Sequence, residues 1–136
     1  MDAVTQQDAT GCAIACVAAI SGNTYPQIKA IANDHGISVQ DPTLWSDTYH
    51  IRHLLNLLGV KVARSETPFA GWDDLPDCAL LAIKWHLEKS IPFWHWVVFV
   101  REEEREYVLD SSRDMKNNVR TDFGRMHPKW FMAVTL

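Results

Sequence analysis

The chain has 136 residues, of which 47% are hydrophobic and six are tryptophan; this composition excludes an intrinsically disordered protein and predicts one folded domain over residues 1–136. The formal net charge is −4 and the lysines and arginines are dispersed, so we expect no nucleic-acid partner. No apolar run approaches the roughly 20 residues that span a bilayer, and the N-terminus has no signal-peptide pattern, so we expect a cytoplasmic protein without a membrane span.

Cysteine usage indicates free thiols. The chain has three cysteines, an odd number, and Cys12 and Cys16 are too close along a helix to form a disulfide comfortably. A structural zinc site needs about four ligands with paired short spacings, whereas the cysteines and histidines here are dispersed. The sequence therefore predicts a reducing compartment, no metal ion and no cofactor.

The first half of the chain predicts three short helices. Residues 11–20 are small and apolar, with Thr10 as a suitable N-cap and a stop at residues 21–23. A second, amphipathic pattern begins at Tyr25 and ends at Gly36, which is a typical C-terminal cap. The third helix is the clearest, because its apolar residues recur at i, i+3, i+4 and i+7 and Gly59 ends it: Ile51, Leu54, Leu55 and Leu58.

The second half predicts strands. Apolar segments bounded by polar turns occupy residues 60–63, 78–83, 94–100, 106–109 and 130–134, whereas residues 68–77 and 111–127 are predicted as irregular. The segments 94–100 and 106–109 should pair as a hairpin. Because the helices precede the strands instead of alternating with them, we expect an α+β fold with N-terminal helices packed on a C-terminal antiparallel sheet.

Cys12 is a candidate nucleophile, because it lies where the first helix begins. The unpaired N–H groups and the positive dipole end of a helix N-terminus stabilise a thiolate. Cys16 lies one turn deeper and Cys78 lies in a predicted buried strand, so both are expected to be inert core thiols. Taken alone, Cys12 is also better explained as a small core residue; a nucleophile needs a partner base.

A histidine and a carboxylate in the predicted hairpin could supply that base. If the hairpin turns between Glu102 and Glu103, His95 faces Asp110 directly, and cross-strand partners project to the same face. A carboxylate beside an imidazole fixes its tautomer and favours its cation, which can pair with a thiolate. Separately, His95 is explained as a structural histidine and Asp110 as a turn residue. Together, with Cys12 upstream, they favour a catalytic triad.

Gln6 is near enough to the first helix to fold back over its start. Its side-chain amide and the backbone N–H of Cys12 would then form an oxyanion hole. By spacing alone Gln7 is an equal competitor, and either glutamine could instead be a solvated residue near the terminus.

Three segments together resemble the peptidase C39 family and C39-like papain-fold enzymes, which are best known as leader-peptide-cleaving domains of bacteriocin exporters. The family pattern has a Gln, five residues and Asp-Cys-Gly-x-Ala-Cys, then a strand that begins with His and another that ends in Leu-Asp-Pro. The matching segments here are residues 6–16, 95–98 and 107–111. The chain departs from the pattern where Gly11, Ala13 and Ser111 stand for the usual Asp, Gly and Pro.

This resemblance implies a papain-like fold and assigns a role to each candidate residue. It implies Gln6, in preference to Gln7, as the oxyanion donor. The other implied roles are the nucleophile, the general base and acid, and the orienting carboxylate, for Cys12, His95 and Asp110 respectively.

The expected activity is that of a cysteine peptidase, which cleaves a peptide amide bond through a thioester and acts on a peptide or protein substrate. The same residues could serve a glutamine deamidase or an acyl transferase, because fold and triad do not separate these reactions. A third interpretation is a catalytically degenerate papain-like binding module, since the motif around Cys12 is altered. The double-glycine substrate of the transporter-fused members is not carried over to this chain.

Overall fold

The computed structural model describes all 136 residues and has three α-helices followed by seven β-strands. The helices are α1 (Cys12–Ser21), α2 (Tyr25–Asp34) and α3 (Tyr49–Leu57). The strands are β1 (Lys61–Val62), β2 (Thr67–Pro68), β3 (Cys78–Glu88), β4 (Ile91–Glu102), β5 (Arg105–Leu109), β6 (Val119–Arg120) and β7 (Trp130–Thr135). They form one antiparallel sheet in the order β1-β7-β3-β4-β5-β6, with β2 also paired to β7. The predicted α+β class is confirmed. None of the helices has the length and apolar character that crossing a bilayer requires.

Helix α1 is a core helix with no solvent face. All residues from 12 to 20 are buried, because α1 packs against β4, α2 and α3. The helix starts after Gly11 without a side-chain cap, and the predicted cap, Thr10, instead donates its hydroxyl to the carbonyl of Val39. It ends at Gly22, whose φ of 73° lies in the left-handed region that favours glycine.

Helices α2 and α3 complete the helical layer, and all three predicted helices are confirmed. Helix α2 begins with a capping box, in which the Thr24 hydroxyl accepts the Gln27 N–H and the Gln27 side chain accepts the Thr24 N–H. Both helices pack on α1 through one apolar face, formed by Tyr25, Ile28 and Ala32 in α2 and by Ile51, Leu54 and Leu55 in α3.

Both faces of the sheet are covered, because alternate residues of β3 and β4 point to opposite sides. One face contributes Leu80, Trp96 and Val98 to the core beneath the helices. The other face contributes Leu81, Ile83, Val97 and Phe99 to a second cluster. In it they pack against Leu75 and Met126, which lie in two connecting segments.

All five predicted strands are present, although some are longer than predicted, and two further strands, β2 and β6, were not predicted. Strands β3 and β4 extend beyond their predicted ends and meet at a turn formed by Lys89 and Ser90. Pro68, predicted to lie in a loop, pairs with Trp130, and β6 lies inside the segment predicted to be irregular. A two-residue strand is too short to show a hydrophobic period, so sequence periodicity could not reveal it.

The hairpin between β4 and β5 turns one residue later than predicted. Val98 pairs with Leu109, which makes Glu103 and Glu104 the two turn residues. Both have positive φ, 51° and 64°, as a two-residue hairpin turn of this hand requires. Asn and Gly usually occupy such positions, so a Glu-Glu turn has no recognisable sequence signal.

Gly11 is expected to tolerate no side chain. A Cβ atom there would overlap the hydroxyl oxygen of Tyr25, whose side chain is 2% exposed and cannot move without disturbing the core. Gly11→Ala should therefore lower the free energy of unfolding by about 1–3 kcal/mol, as overpacking does. Gly124→Ala is the matched control, since nothing lies within 4 Å of its Cβ position. Urea unfolding measures both variants, and equal midpoints would contradict the predicted overlap.

Candidate active site

Cys12 is the first residue of α1 and lies among unpaired backbone donors. The first hydrogen bond of the helix runs from the Ala15 N–H to the Gly11 carbonyl, so the N–H groups of residues 12–14 have no backbone acceptor. Cys12 is 6% exposed, and its thiol lies close enough to the ring of His95 to raise the pKa of that imidazole. A thiolate at this position would face both the positive end of the helix dipole and an imidazolium.

His95 connects the thiol to a buried carboxylate. Its Nε2 lies 2.8 Å from Asp110 Oδ1, and because an ionised carboxylate only accepts, Nε2 is the donor and Nδ1 is left for the thiol. Burial lowers the pKa of His95, but its hydrogen bond to Asp110 and its interactions with the Cys12 thiol outweigh burial and raise that pKa to about 9. The imidazole therefore interacts with the thiol and the carboxylate at the same time.

Asp110 is held in its ionised form by four donors and is 1% exposed. Besides His95, Oδ1 accepts the backbone N–H of Ser112 at 3.1 Å and its hydroxyl at 2.8 Å. Oδ2 accepts Nη1 of Arg120 at 3.0 Å. Burial raises the pKa of Asp110, but the bonds from His95 and Ser112 outweigh burial and hold that pKa well below its usual range. The carboxylate is therefore charged near neutral pH.

His95 and Asp110 meet although their predicted direct pairing is wrong. Because Val98 pairs with Leu109, Asp110 follows the end of β5 and is diagonal to His95 instead of opposite it. Successive residues of a strand alternate between faces, so a register error of two residues leaves every side chain on its predicted face. Diagonal neighbours are within reach of a long or aromatic side chain, which explains the hydrogen bond.

Gln6 is buried beside the triad, whereas Gln7 is exposed. The Gln6 backbone N–H donates to the Ser111 carbonyl at 3.0 Å, and its Oε1 accepts the Ser111 hydroxyl at 2.8 Å. Its Nε2 donates to the carbonyls of Asp8 and Ala9, both at 3.0 Å. A flipped amide would set Oε1 against two carbonyls, so these partners fix its orientation. Both side-chain N–H groups are thus engaged by the loop that precedes α1.

A cleft of about 510 Å³ opens at the His95 side of the triad. Its lining is almost entirely polar: Gln6, Ala9, His95, Ser112, Arg113 and Asp114. A substrate in this cleft would therefore meet both the imidazole and the Gln6 amide.

The other two cysteines are enclosed in the core, as expected. Cys16 and Cys78 are each 3% exposed, and all three cysteines are free thiols. Burial raises the pKa of Cys16 well above its ordinary value and that of Cys78 to about 12. Cys12 is the thiol that contacts a base. No group of three or more His, Cys, Asp or Glu side chains is arranged to hold a metal ion.

Two contacts of the triad were not identified from the sequence. Ser112 and Arg120 both bond Asp110, and Arg120 also binds both oxygens of Asp122. Arg120 and Asp122 are two residues apart, a spacing that places both side chains on one side of an extended chain, but this is a weak signal. Nothing in the sequence connects that pair to Asp110.

The stability contributed by the bond between His95 and Asp110 should be lost at both ends of the pH range. Since the pKa of His95 is raised from 6.5 to about 9, its contribution is complete below 6.5 and is lost as the pH rises through about 9. Since the pKa of Asp110 is lowered from 3.8, its contribution is present above that value and is lost as the pH falls through the folded-state pKa. The difference in thermal midpoint between wild type and His95→Gln, followed by circular dichroism, should therefore be largest near pH 5–6 and shrink toward pH 10. A difference independent of pH would contradict the coupling.

No protein-family profile matches this chain, and no curated protein matches it at a significant level. The assignment of a function therefore depends on the geometry of the residues around Cys12.

Proposed function

We propose that the chain is a papain-like cysteine peptidase, similar to the peptidase C39 family, that hydrolyses an amide bond in a peptide or protein substrate. The observation that carries the proposal is the placement of His95, which interacts with the Cys12 thiol and is hydrogen-bonded to buried Asp110. A cysteine that only fills the core needs no base, and a structural His-Asp pair needs no thiol on its second ring nitrogen. Side chains suited to the three roles of a thiol hydrolase thus lie beside one helix N-terminus, which supports the proposal.

The proposed reaction is acyl transfer through a thioester. The Cys12 thiol gives its proton to His95, and the thiolate attacks the substrate carbonyl carbon. The imidazolium then protonates the leaving amine as the C–N bond breaks, which leaves the acyl group on sulfur. Neutral His95 next takes a proton from water, whose oxygen attacks the thioester; the C–S bond breaks to release the acid, and the Cys12 thiolate takes the proton back from His95. Asp110 stays ionised and stabilises each imidazolium stage.

Two donors lie near the site where the oxyanion would develop, and one of them is free. The backbone N–H of Cys12 is unpaired, and the Gln6 side chain lines the cleft. To donate to the substrate, Gln6 must release one of its two loop carbonyls. Ala9 is exposed, so its carbonyl can exchange the Gln6 bond for water at little net cost.

Alkylation by iodoacetamide near pH 6 tests whether Cys12 is activated. We expect Cys12 to react selectively, because His95 and the helix dipole stabilise its thiolate, whereas the buried Cys16 and Cys78 should stay unmodified. Peptide mapping by mass spectrometry identifies the labelled residue. Equally slow labelling of all three thiols would contradict the proposal and favour a non-enzymatic module.

Intact-mass analysis of a peptide library incubated with the protein identifies the reaction. Hydrolysis yields two fragments that together carry one added water. Deamidation of a glutamine side chain adds about one dalton without cleavage, because the same thioester route converts an amide to an acid. Fragments support the peptidase, and a mass gain without fragments would replace it with a deamidase.

A further inference from the structure

Arg120 lies behind the carboxylate of the triad and is fixed at both edges of its guanidinium. It occupies β6, opposite Val108 of β5, and its side chain is 13% exposed. Nη1 donates to Asp110 Oδ2 at 3.0 Å. Nε and Nη2 donate to the two oxygens of Asp122 at 2.9 and 2.7 Å. Asp122 therefore anchors one edge of the guanidinium, and the other edge of the guanidinium holds Asp110.

The two oxygens of Asp110 have separate partners. Oδ1 accepts from His95 and Ser112, while Oδ2 accepts from Arg120 alone. Without Arg120, one oxygen of an almost fully buried carboxylate would be left unpaired, which is costly, and the carboxylate could rotate to find another donor. Arg120 thereby keeps Oδ1 directed at His95.

The positive charge of Arg120 also affects how tightly His95 holds its proton. A carboxylate favours the imidazolium form of a neighbouring histidine, and a guanidinium bound to that carboxylate offsets part of this effect. The other groups that face the pair are the Cys12 thiol from α1, the Cys16 thiol near Asp110, and Arg113 and Asp114 at the cleft. Arg113 and Asp114 are exposed and their charges oppose each other, whereas Arg120 is bonded directly to Asp110. Arg120 is therefore the main fixed cation beside the pair.

We propose that Arg120 is a positioning residue of the triad, which directs Asp110 toward His95 and limits how tightly that carboxylate retains the imidazolium proton. The proposal rests on the proposed function, because it assigns Arg120 a role in the same site. A thioester mechanism needs His95 first as an acid and then as a neutral base, so an imidazolium held too tightly would slow deacylation.

The pKa of His95, measured by NMR titration of its ring, tests this role without any need for activity. In Arg120→Gln, whose amide can still donate to Oδ2 and so keep Asp110 in place, the pKa of His95 should rise by about one unit, because the Asp110 charge is no longer offset. Arg120→Lys keeps the positive charge and should shift the pKa of His95 by less than half as much. Asp122→Asn is the matched control, since it breaks the same network but leaves the Arg120 charge unopposed and should lower the pKa of His95. A merely structural role for Arg120 would give shifts of the same sign in Arg120→Gln and Asp122→Asn, toward the ordinary value of 6.5.

Kinetics provide the second measurement. The neutral fraction of His95 at pH 7 falls about tenfold for each unit that its pKa rises, so kcat of Arg120→Gln should fall about tenfold at pH 7 and recover toward higher pH. An unchanged or lower pKa of His95 in Arg120→Gln would overturn the proposal. If Arg120→Gln does not fold, a higher pKa in Asp122→Asn would overturn it equally. Failure of the wild type to cleave any peptide would overturn the proposed function, and the NMR shifts would still decide the role of Arg120.

Discussion

Cys12→Ala is expected to abolish peptide hydrolysis while the protein stays folded. In the proposed mechanism the Cys12 thiol forms the acyl intermediate, so kcat should fall on the order of 10⁶-fold, to the rate that substrate binding and the oxyanion donors still supply. Alanine is the best helix former, and the substitution removes a single sulfur atom from a site that is 6% exposed. We expect a stability loss of about 1 kcal/mol. Initial rates on a cleaved peptide and thermal unfolding by circular dichroism measure the two effects.

Cys78→Ala is the control for this variant. Cys78 is also a buried free thiol, in β3, and no histidine influences its pKa. Its replacement should cost comparable stability and leave hydrolysis intact. A folded Cys12→Ala protein that still hydrolyses peptides would exclude Cys12 as the nucleophile. Equal loss of activity in both variants would attribute the effect to folding instead of chemistry.

The meeting of His95 with Asp110 was predictable from the sequence despite an error in the hairpin. Strand alternation fixes which residues share a face, and it does not change when the register moves by two residues. The position of the turn was not predictable, because Glu103 and Glu104 adopt positive φ without the Asn or Gly that usually marks such a turn. A register error of one residue would have placed His95 and Asp110 on opposite faces.

The support of the triad could not be predicted, because it comes from contacts with no local signal. Arg120 reaches Asp110 only because a two-residue strand pairs with β5 in the middle of a polar segment. The carbonyls that hold the Gln6 amide belong to a loop whose shape depends on distant partners. Periodicity identifies helices and strands, but it carries no information about such a loop.

The packing around Gly11 gives a physical reason for one departure from the C39-like motif. Where that pattern has Asp, Gly11 lies against the Tyr25 hydroxyl and leaves no room for a side chain. Tyr25 donates instead to Asp8 at 2.7 Å, and Lys29 binds the same carboxylate at 3.1 Å. Helix α2 thus anchors the loop whose Asp8 and Ala9 carbonyls hold Gln6. An acidic group near Cys12 is present here, but three residues earlier, and it holds that loop.

Asp110→Asn is expected to lower kcat/KM by about 10³- to 10⁴-fold while the fold is kept, because an amide cannot accept on both sides of this position. One side of the carboxylate receives His95 and Ser112, and the other receives Arg120. Whichever way the amide turns, its NH₂ group meets a donor that cannot give up its proton: the neutral backbone N–H of Ser112 on one side, or the charged guanidinium on the other, where the repulsion is stronger. The NH₂ group should therefore face His95. The ring is then held as the neutral tautomer with its proton on Nδ1, where it cannot accept the proton of Cys12.

Removing the guanidinium as well should reverse part of that loss. In the double variant Asp110→Asn with Arg120→Gln, the NH₂ group can turn toward position 120, which leaves the amide oxygen for Nε2 of His95. We expect the double variant to be about tenfold faster than Asp110→Asn, although Arg120→Gln alone slows the wild type. Values of kcat/KM at pH 7 for the four proteins complete the double-mutant cycle. Losses that simply add would mean that Arg120 does not decide which atom of residue 110 faces His95, whereas a partial rescue would follow directly from its bond to Oδ2.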